Sequence, residues 1–138
     1  MSDTPAIVPG LTGQAATVVE PQLTARHLGS GVVSVFATPE MIRLMERAAV
    51  NALAAHLAPG QQSVGTAVNV RHLAATPLGA TVTARAELVA IEGRRLTFRV
   101  SAHDGAELIG EGTHERALID LARFQAKAEA KRTAAGTA

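Results

Sequence analysis

Apolar positions change their period along this chain. From Thr38 to Leu57 they recur at spacings of three and four (Met41, Ile42, Leu44, Met45, Ala48, Ala49, Ala52, Leu53 and Leu57), the stripe of one long amphipathic helix. Thr38 stands where an N-cap is expected. Pro39 follows at the first helical position, where a missing N–H costs nothing, and Pro59-Gly60 marks the stop. After Gly60 the period becomes two, and Ser63 to Ala74, Ala80 to Ile91, Leu96 to Asp104 and Glu107 to Leu121 read as four long strands. The turn signals Thr76-Pro77-Leu78-Gly79, Glu92-Gly93-Arg94-Arg95 and Asp104-Gly105 predict antiparallel neighbours. Ahead of the helix the pattern is weaker. Ala15–Glu20 and Leu23–Leu28 read as short extended segments separated by Pro21, and both termini, the second rich in Ala and Lys, are expected to fray.

A long helix followed by a meander of long antiparallel strands belongs to the α+β class, with the sheet burying one face on the helix, which is the outline of a hot-dog fold. At 138 residues the chain is expected to form a single domain, with an ordered core over about 15–127. One helix covers little of such a sheet, so a second copy should cover the rest, predicting a homodimer. A net charge of +1 and the absence of Trp and Tyr leave neither a footprint for a phosphate backbone nor a stacking platform, so no nucleic acid partner is expected. The longest charge-free stretch, Ala48 to Val70, is broken by Pro59 and Gly60, the first basic residue is Arg26, and no membrane span or export signal is read. A cytoplasmic location follows as the expectation. Without Cys, chemistry must come from carboxylates, hydroxyls, imidazoles or the backbone.

Three polar residues stand in apolar places. Glu46 has Ile42, Ala49, Val50 and Leu53 as its helical neighbours. A carboxylate on an apolar face is how a helix makes a general base or nucleophile; the plainer alternative is an ion pair with Arg43 on a solvated face. His72 ends the alternation Val64, Thr66, Val68, Val70, His72, Ala74 and should point at the helix, either as a satisfied core residue or as a catalyst. Thr38 has a complete structural explanation as a cap. His27, His56 and His103 are explained by solvent exposure. His114, in Gly110-Glu111-Gly112-Thr113-His114-Glu115-Arg116, lacks metal-ligand spacing, so neither a metal nor a cofactor is expected. The glycines there permit close approach of backbone or ligand, and Arg116 reads as a strand-end ion pair or an anion contact.

Val35-Phe36-Ala37-Thr38, the helical LMERA, and the segments GTAVNVRHLAATPLGATVTARAEL, EGRRLTFRVSAHDG and IGEGTHERALIDL together resemble the fluoroacetyl-CoA thioesterase family of hot-dog proteins, from about Val35 to Lys127. The resemblance implies a homodimer with acyl pockets near the subunit interface that hydrolyses a short or medium acyl-CoA thioester. It implies Thr38, Glu46 and His72 as catalytic residues, and Gly65, Arg116 and Phe36 as substrate contacts. Two features depart from the family pattern. The segment Gly29–Ser34 (GSGVVS) is aliphatic where the family carries an aromatic lid, and Pro39 replaces a small residue. The first predicts a broad acyl preference rather than strict selection of fluorine. Two alternatives stand beside hydrolysis. One is a non-catalytic acyl-CoA or small-ligand binding protein. The other, hot-dog dehydration chemistry, is disfavoured because no Asp lies five residues before a His.

Overall fold

The structure, a computed structural model, describes residues 4–136. Five strands, β1 (Thr12–Val18), β2 (Gln61–His72), β3 (Thr81–Glu92), β4 (Arg95–His103) and β5 (Leu108–Asp120), form one antiparallel sheet in the order β1-β3-β4-β5-β2. Helix α2 (Thr38–Leu53) lies in the curl of the sheet, after a short helix α1 (Ala25–Leu28), and a last helix α3 (Leu121–Ala134) follows β5 directly. This is the hot-dog fold. The helical stripe Met41, Leu44, Met45, Ala48, Ala49, Ala52 and Leu53 is buried against Val82, Ala84, Ala86 and Leu88 of β3 and Leu96, Phe98, Val100 and Ala102 of β4.

Two glycines set how closely helix and sheet approach. A Cβ on Gly13 would overlap the Ala48 carbonyl and the Ala52 backbone, so β1 crosses α2 almost backbone to backbone. A Cβ on Gly110 would overlap the Met41 thioether. That contact lowers the start of α2 onto β5 at the level where Gly110 pairs with His72 of β2.

The four long strands match the expected alternation to within two residues at each end. The remaining boundaries need correction. Helix α2 stops at Leu53 rather than Leu57, because its end tightens into a turn in which the His56 N–H donates to the Leu53 carbonyl and the His56 ring bonds the Ala6 carbonyl. Ala37, in extended conformation, is the N-cap, so Thr38 is the first helical residue and its hydroxyl makes no capping bond. Leu23–Leu28 is not extended; it falls in a 3-10 turn over Pro21–Leu23 and in α1, capped by the Thr24 hydroxyl. The Ala- and Lys-rich end, expected to fray beyond about residue 127, is helical to Ala134 in α3, because good helix formers follow Asp120, whose carboxylate accepts from the Arg123 N–H. Among the described residues no helix is long and apolar enough to cross a membrane.

Candidate active site

Helix α2 packs chiefly over β1 and β3 and less over β2 and β5, and β2, an edge strand, is largely exposed along its length. Two polar clusters face that open side. The first is at the helix start. Thr38 lies one turn before Met41, so the contact of Met41 with Gly110 brings its hydroxyl over His72, and Thr38 Oγ1 is 2.7 Å from His72 Nδ1. The other ring nitrogen, Nε2, is buried and has no hydrogen-bond partner among the described residues. A buried, unpaired imidazole nitrogen is costly unless something else binds it. A cleft of ≈ 320 Å³ lined by Phe36, Thr38, His72 and Ser30 opens above the pair. Phe36 is 1% exposed and serves as core as well as wall of the cleft. Burial draws the His72 pKa below its ordinary value, partly opposed by the Ala74 backbone.

The second cluster surrounds Arg116, whose side chain is 7% exposed. Its Nε donates to Ser63 Oγ at 2.9 Å and its Nη2 to the Ser63 carbonyl at 3.0 Å, while Nη1 reaches His114 Nε2 at 3.2 Å and Glu46 Oε2 at 3.9 Å. His114 is 1% exposed, with Nδ1 2.8 Å from the Ala67 carbonyl. A carbonyl only accepts and a guanidinium only donates, so Nδ1 carries the proton and Nε2 accepts: His114 is neutral and both its nitrogens are committed. Burial lowers its pKa first, opposed by the Ala67 carbonyl, with Arg116 lowering it further and Glu46 acting against. The Arg116 guanidinium is itself lowered by burial, opposed by Glu46, and stays charged.

Gly65 occupies the gap in front of these groups. A Cβ there would sit 3.2 Å from Glu46 Oε2, 3.3 Å from His114 Cε1 and 3.4 Å from Arg116 Nη1, so a side chain at this position would fill the space between carboxylate, imidazole and guanidinium. Gly65 faces inward because the register of β2 against β5 shifts between Gly65 and Ala67. This corrects the simple alternation: Val68, Val70 and His72 share the inner face as expected, but before the bulge that face belongs to Ser63 and Gly65 rather than Val64 and Thr66. Glu46 is corrected too. Its side chain is 41% exposed and faces Arg116, so it is neither immersed among apolar groups nor paired with Arg43, which meets Glu40 at 3.6 Å instead. Sequence reasoning passed over Ser63 and assigned His114 no role. The signal available was that His114 and Arg116 share one strand face.

Because both imidazoles are held below their ordinary pKa, the unfolded chain binds more protons than the folded one once the pH falls below about 6.5. Stability should therefore be full above neutrality, decline as the pH falls through 6.5, and level off below the depressed values. Denaturant midpoints at pH 7.5 and pH 5 check this, with a smaller difference expected for His114→Gln than for the wild type.

The model of the family described as fluoroacetyl-CoA-specific thioesterase matches residues 19–122. The chain is 54% identical over 120 residues to the fluoroacetyl-CoA thioesterase of Streptantibioticus cattleyicolor, covering 83% of this chain and 86% of that protein. A solved structure of a fluoroacetyl-CoA thioesterase superposes with a TM-score of 0.85 at 50% identity, covering 92% of this chain and 98% of the other. A thioesterase superfamily member of Thermus thermophilus superposes at 0.84 with 31% identity, covering 96% of each chain.

Proposed function

The chain belongs to the fluoroacetyl-CoA-specific thioesterase family, and from that premise we propose that it hydrolyses short acyl-CoA thioesters with Thr38, Glu46 and His72 as its catalytic residues. The observation that carries the assignment is the 2.7 Å contact between Thr38 and His72 with the far imidazole nitrogen buried and free. The cap explanation for Thr38 has gone, and the buried Nε2 has no hydrogen-bond partner among the described residues, on a ring that lines the cleft.

Each step of thioester cleavage has a group for it. Glu46 supplies the attack on the carbonyl carbon, with its own oxygen or through a water it deprotonates. Arg116, 3.9 Å away and tied down by Ser63 and His114, steadies that carboxylate without a bidentate grip, leaving an oxygen free. The start of α2 and the Thr38 hydroxyl polarise the carbonyl oxygen. CoA leaves as the thiolate; neutral His72 takes a proton from the water of the hydrolytic step, and the imidazolium so formed hands it to the thiolate. In single-turnover hydrolysis in ¹⁸O-water, label in the Glu46 carboxylate identifies direct attack with water adding to the Glu46 carbonyl of the mixed anhydride, whereas label confined to the released acid fits the water route or hydrolysis at the acyl carbonyl.

Thr38 and Glu46 are eight residues apart, ~12 Å along one helix axis, too far for both to meet one carbonyl within a protomer. A homodimer resolves this. β2 is a twelve-residue edge strand with its outer backbone groups unpaired, Val68 is 39% exposed on it, and the surface beside it is less covered by α2 than that of β1 and β3. Antiparallel pairing of two β2 strands about their middles carries the His72 end of one protomer to the Gly65 end of the other, and so brings Thr38 and His72 towards Glu46 of the partner subunit. Val68→Asp should yield a monomer by light scattering that retains its fold and has lost turnover.

The deciding assay is release of free thiol from a panel of acyl-CoA thioesters. CoA binding without release from any of them would replace the reading with that of a binding protein. On fluorine, Val32 is 87% and Val33 58% exposed in a segment without an aromatic side chain. An apolar pocket discriminates a small group by only about 1–3 kcal/mol. The ratio of kcat/KM for fluoroacetyl-CoA over acetyl-CoA should therefore not exceed about 10², and several thousand would overturn this.

A further inference from the structure

His114 is 1% exposed, and the proton transfers described above do not use it: Nδ1–H is given to the Ala67 carbonyl at 2.8 Å, and Nε2 accepts from Arg116 Nη1 at 3.2 Å. The ring is boxed in as well. Phe98, fully buried, is its neighbour across the β4–β5 pairing with ring centroids 6.4 Å apart, and Gly65 faces its Cε1. The two hydrogen bonds join parts of the site that the sheet ladder does not tie together. Ala67 ends the bulge of β2, where the ladder is interrupted and Gly65 turns inward. Arg116 is the side chain that reaches from β5 to Glu46 on α2. One imidazole fastens both.

The chemistry of this holder matters as much as its place. Arg116 is seated by Ser63 Oγ, the Ser63 carbonyl and His114 Nε2, and none of these acceptors carries a charge. A buried guanidinium is ordinarily matched to a carboxylate in hydrogen-bond contact, which satisfies its donors and neutralises it together. Here the two tasks are separated. The one carboxylate paired with Arg116 among the described residues is Glu46, at 3.9 Å, beyond hydrogen-bond distance. Burial chiefly holds the His114 pKa down, opposed by the Ala67 carbonyl, and a protonated ring would turn its acceptor into a donor facing Arg116. We propose that His114 is a positioning residue for the hydrolysis: in its Nδ1–H tautomer it locks the β2 bulge to Arg116, and because it is uncharged it seats the guanidinium without neutralising it, leaving the positive charge for Glu46. The inference rests on the thioesterase reading and adds why β5 carries a histidine beside its arginine. An anionic residue in that place would hold Arg116 as firmly, but it would cancel the charge and leave the cluster net negative towards a tetrahedral adduct that is itself negative.

The test is thiol release from acetyl-CoA, expressed per folded protein. In His114→Gln the amide offers both bonds, its N–H to the Ala67 carbonyl and its oxygen to Arg116, and kcat should stay within about tenfold of the wild type. His114→Leu removes both and should lower kcat about 10²-fold, the cost of a misplacement of about 1 Å. His114→Glu has nearly the shape of His114→Gln but adds a charge, and should also lose about 10²-fold. Ser63→Asp makes the same change of charge from the other side of the guanidinium and decides the matter if His114→Glu does not fold. His114→Leu as active as His114→Gln overturns the positioning role, and either acidic variant as active as His114→Gln overturns the need for an uncharged seat. Long-range ¹H–¹⁵N spectra of the histidine rings read the tautomer without turnover: Nδ1 protonated and Nε2 bare is expected at pH 7.5, and an imidazolium or the Nε2–H form overturns the proposal. If the wild type releases no thiol from any acyl-CoA, the thioesterase reading fails by itself. The same spectra, with an Arg116 Nε–H resonance sharp in the wild type and His114→Gln but broadened in His114→Leu, then uphold the seat, and equal sharpness in all three overturns it.

Discussion

Glu46→Gln is expected to fold and to lose hydrolysis of acetyl-CoA by about 10²–10⁴ in kcat, the range that a positioned base or nucleophile contributes. The amide has nearly the shape of the carboxylate, so the tight approach at Gly65, where a Cβ would lie 3.2 Å from the Glu46 oxygen, is kept. On the proposed reading, what changes is that the residue no longer offers a lone pair of sufficient basicity to attack or to deprotonate water. Arg116 loses its anionic neighbour but not its seat, since Ser63 accepts from it twice and His114 once. The lost ion pair is a 3.9 Å contact to a carboxylate 41% exposed, and screening by water makes its contribution to stability small. The melting temperature should accordingly move by no more than a few degrees. Thiol release at the wild-type rate would remove Glu46 from the mechanism. A collapse in stability with full specific activity in the folded fraction would make the residue structural.

What the sequence carried and what it hid divide along physical lines. α2 and the four long strands were readable because each buries one face, and burial writes a period of 3.6 or 2 into the chain. His72 was readable for the same reason: it continues an apolar alternation that it has no reason to join. Glu46 was found by its neighbours, but its environment was misjudged, because helical spacing does not tell which part of the sheet the helix covers least. The inward turn of Gly65 depends on one extra residue in β2, which cannot be counted until β5 is laid beside it. Arg116 meets Ser63 and His114 meets the Ala67 carbonyl across 53 and 47 positions of chain, so only the strand pairing discloses the cluster. Thr38 shows the opposite failure. Its position beside Pro39 made a cap the sufficient explanation, and only the fold, through Met41 against Gly110, shows the hydroxyl spent on an imidazole instead. α3 was obscured because nothing on it is buried; its helicity comes from composition and a capping carboxylate, neither of which leaves an apolar stripe.

His72→Ala should lower kcat by about 10²–10⁴, and its pH profile distinguishes a proton-moving role from a packing one. Burial holds the His72 pKa below its ordinary value, so the ring is neutral at pH 7 and takes a proton only in more acid solution. If the neutral ring accepts the proton from water, kcat/KM rises with pH through that depressed value and is flat by pH 7, placing the acid limb below about 6.5. The residual activity of His72→Ala should lack this limb. A limb that persists in the variant would assign it to another group and leave His72 as packing. On the proposed reading Thr38 and His72, in contact at 2.7 Å, work as a unit, so Thr38→Ala added to His72→Ala should cost little more than His72→Ala alone. Thr38→Ser, which retains the hydroxyl 2.7 Å from Nδ1, should stay within about tenfold of the wild type, whereas Thr38→Ala, which leaves Nδ1 as well as Nε2 without a partner, should not.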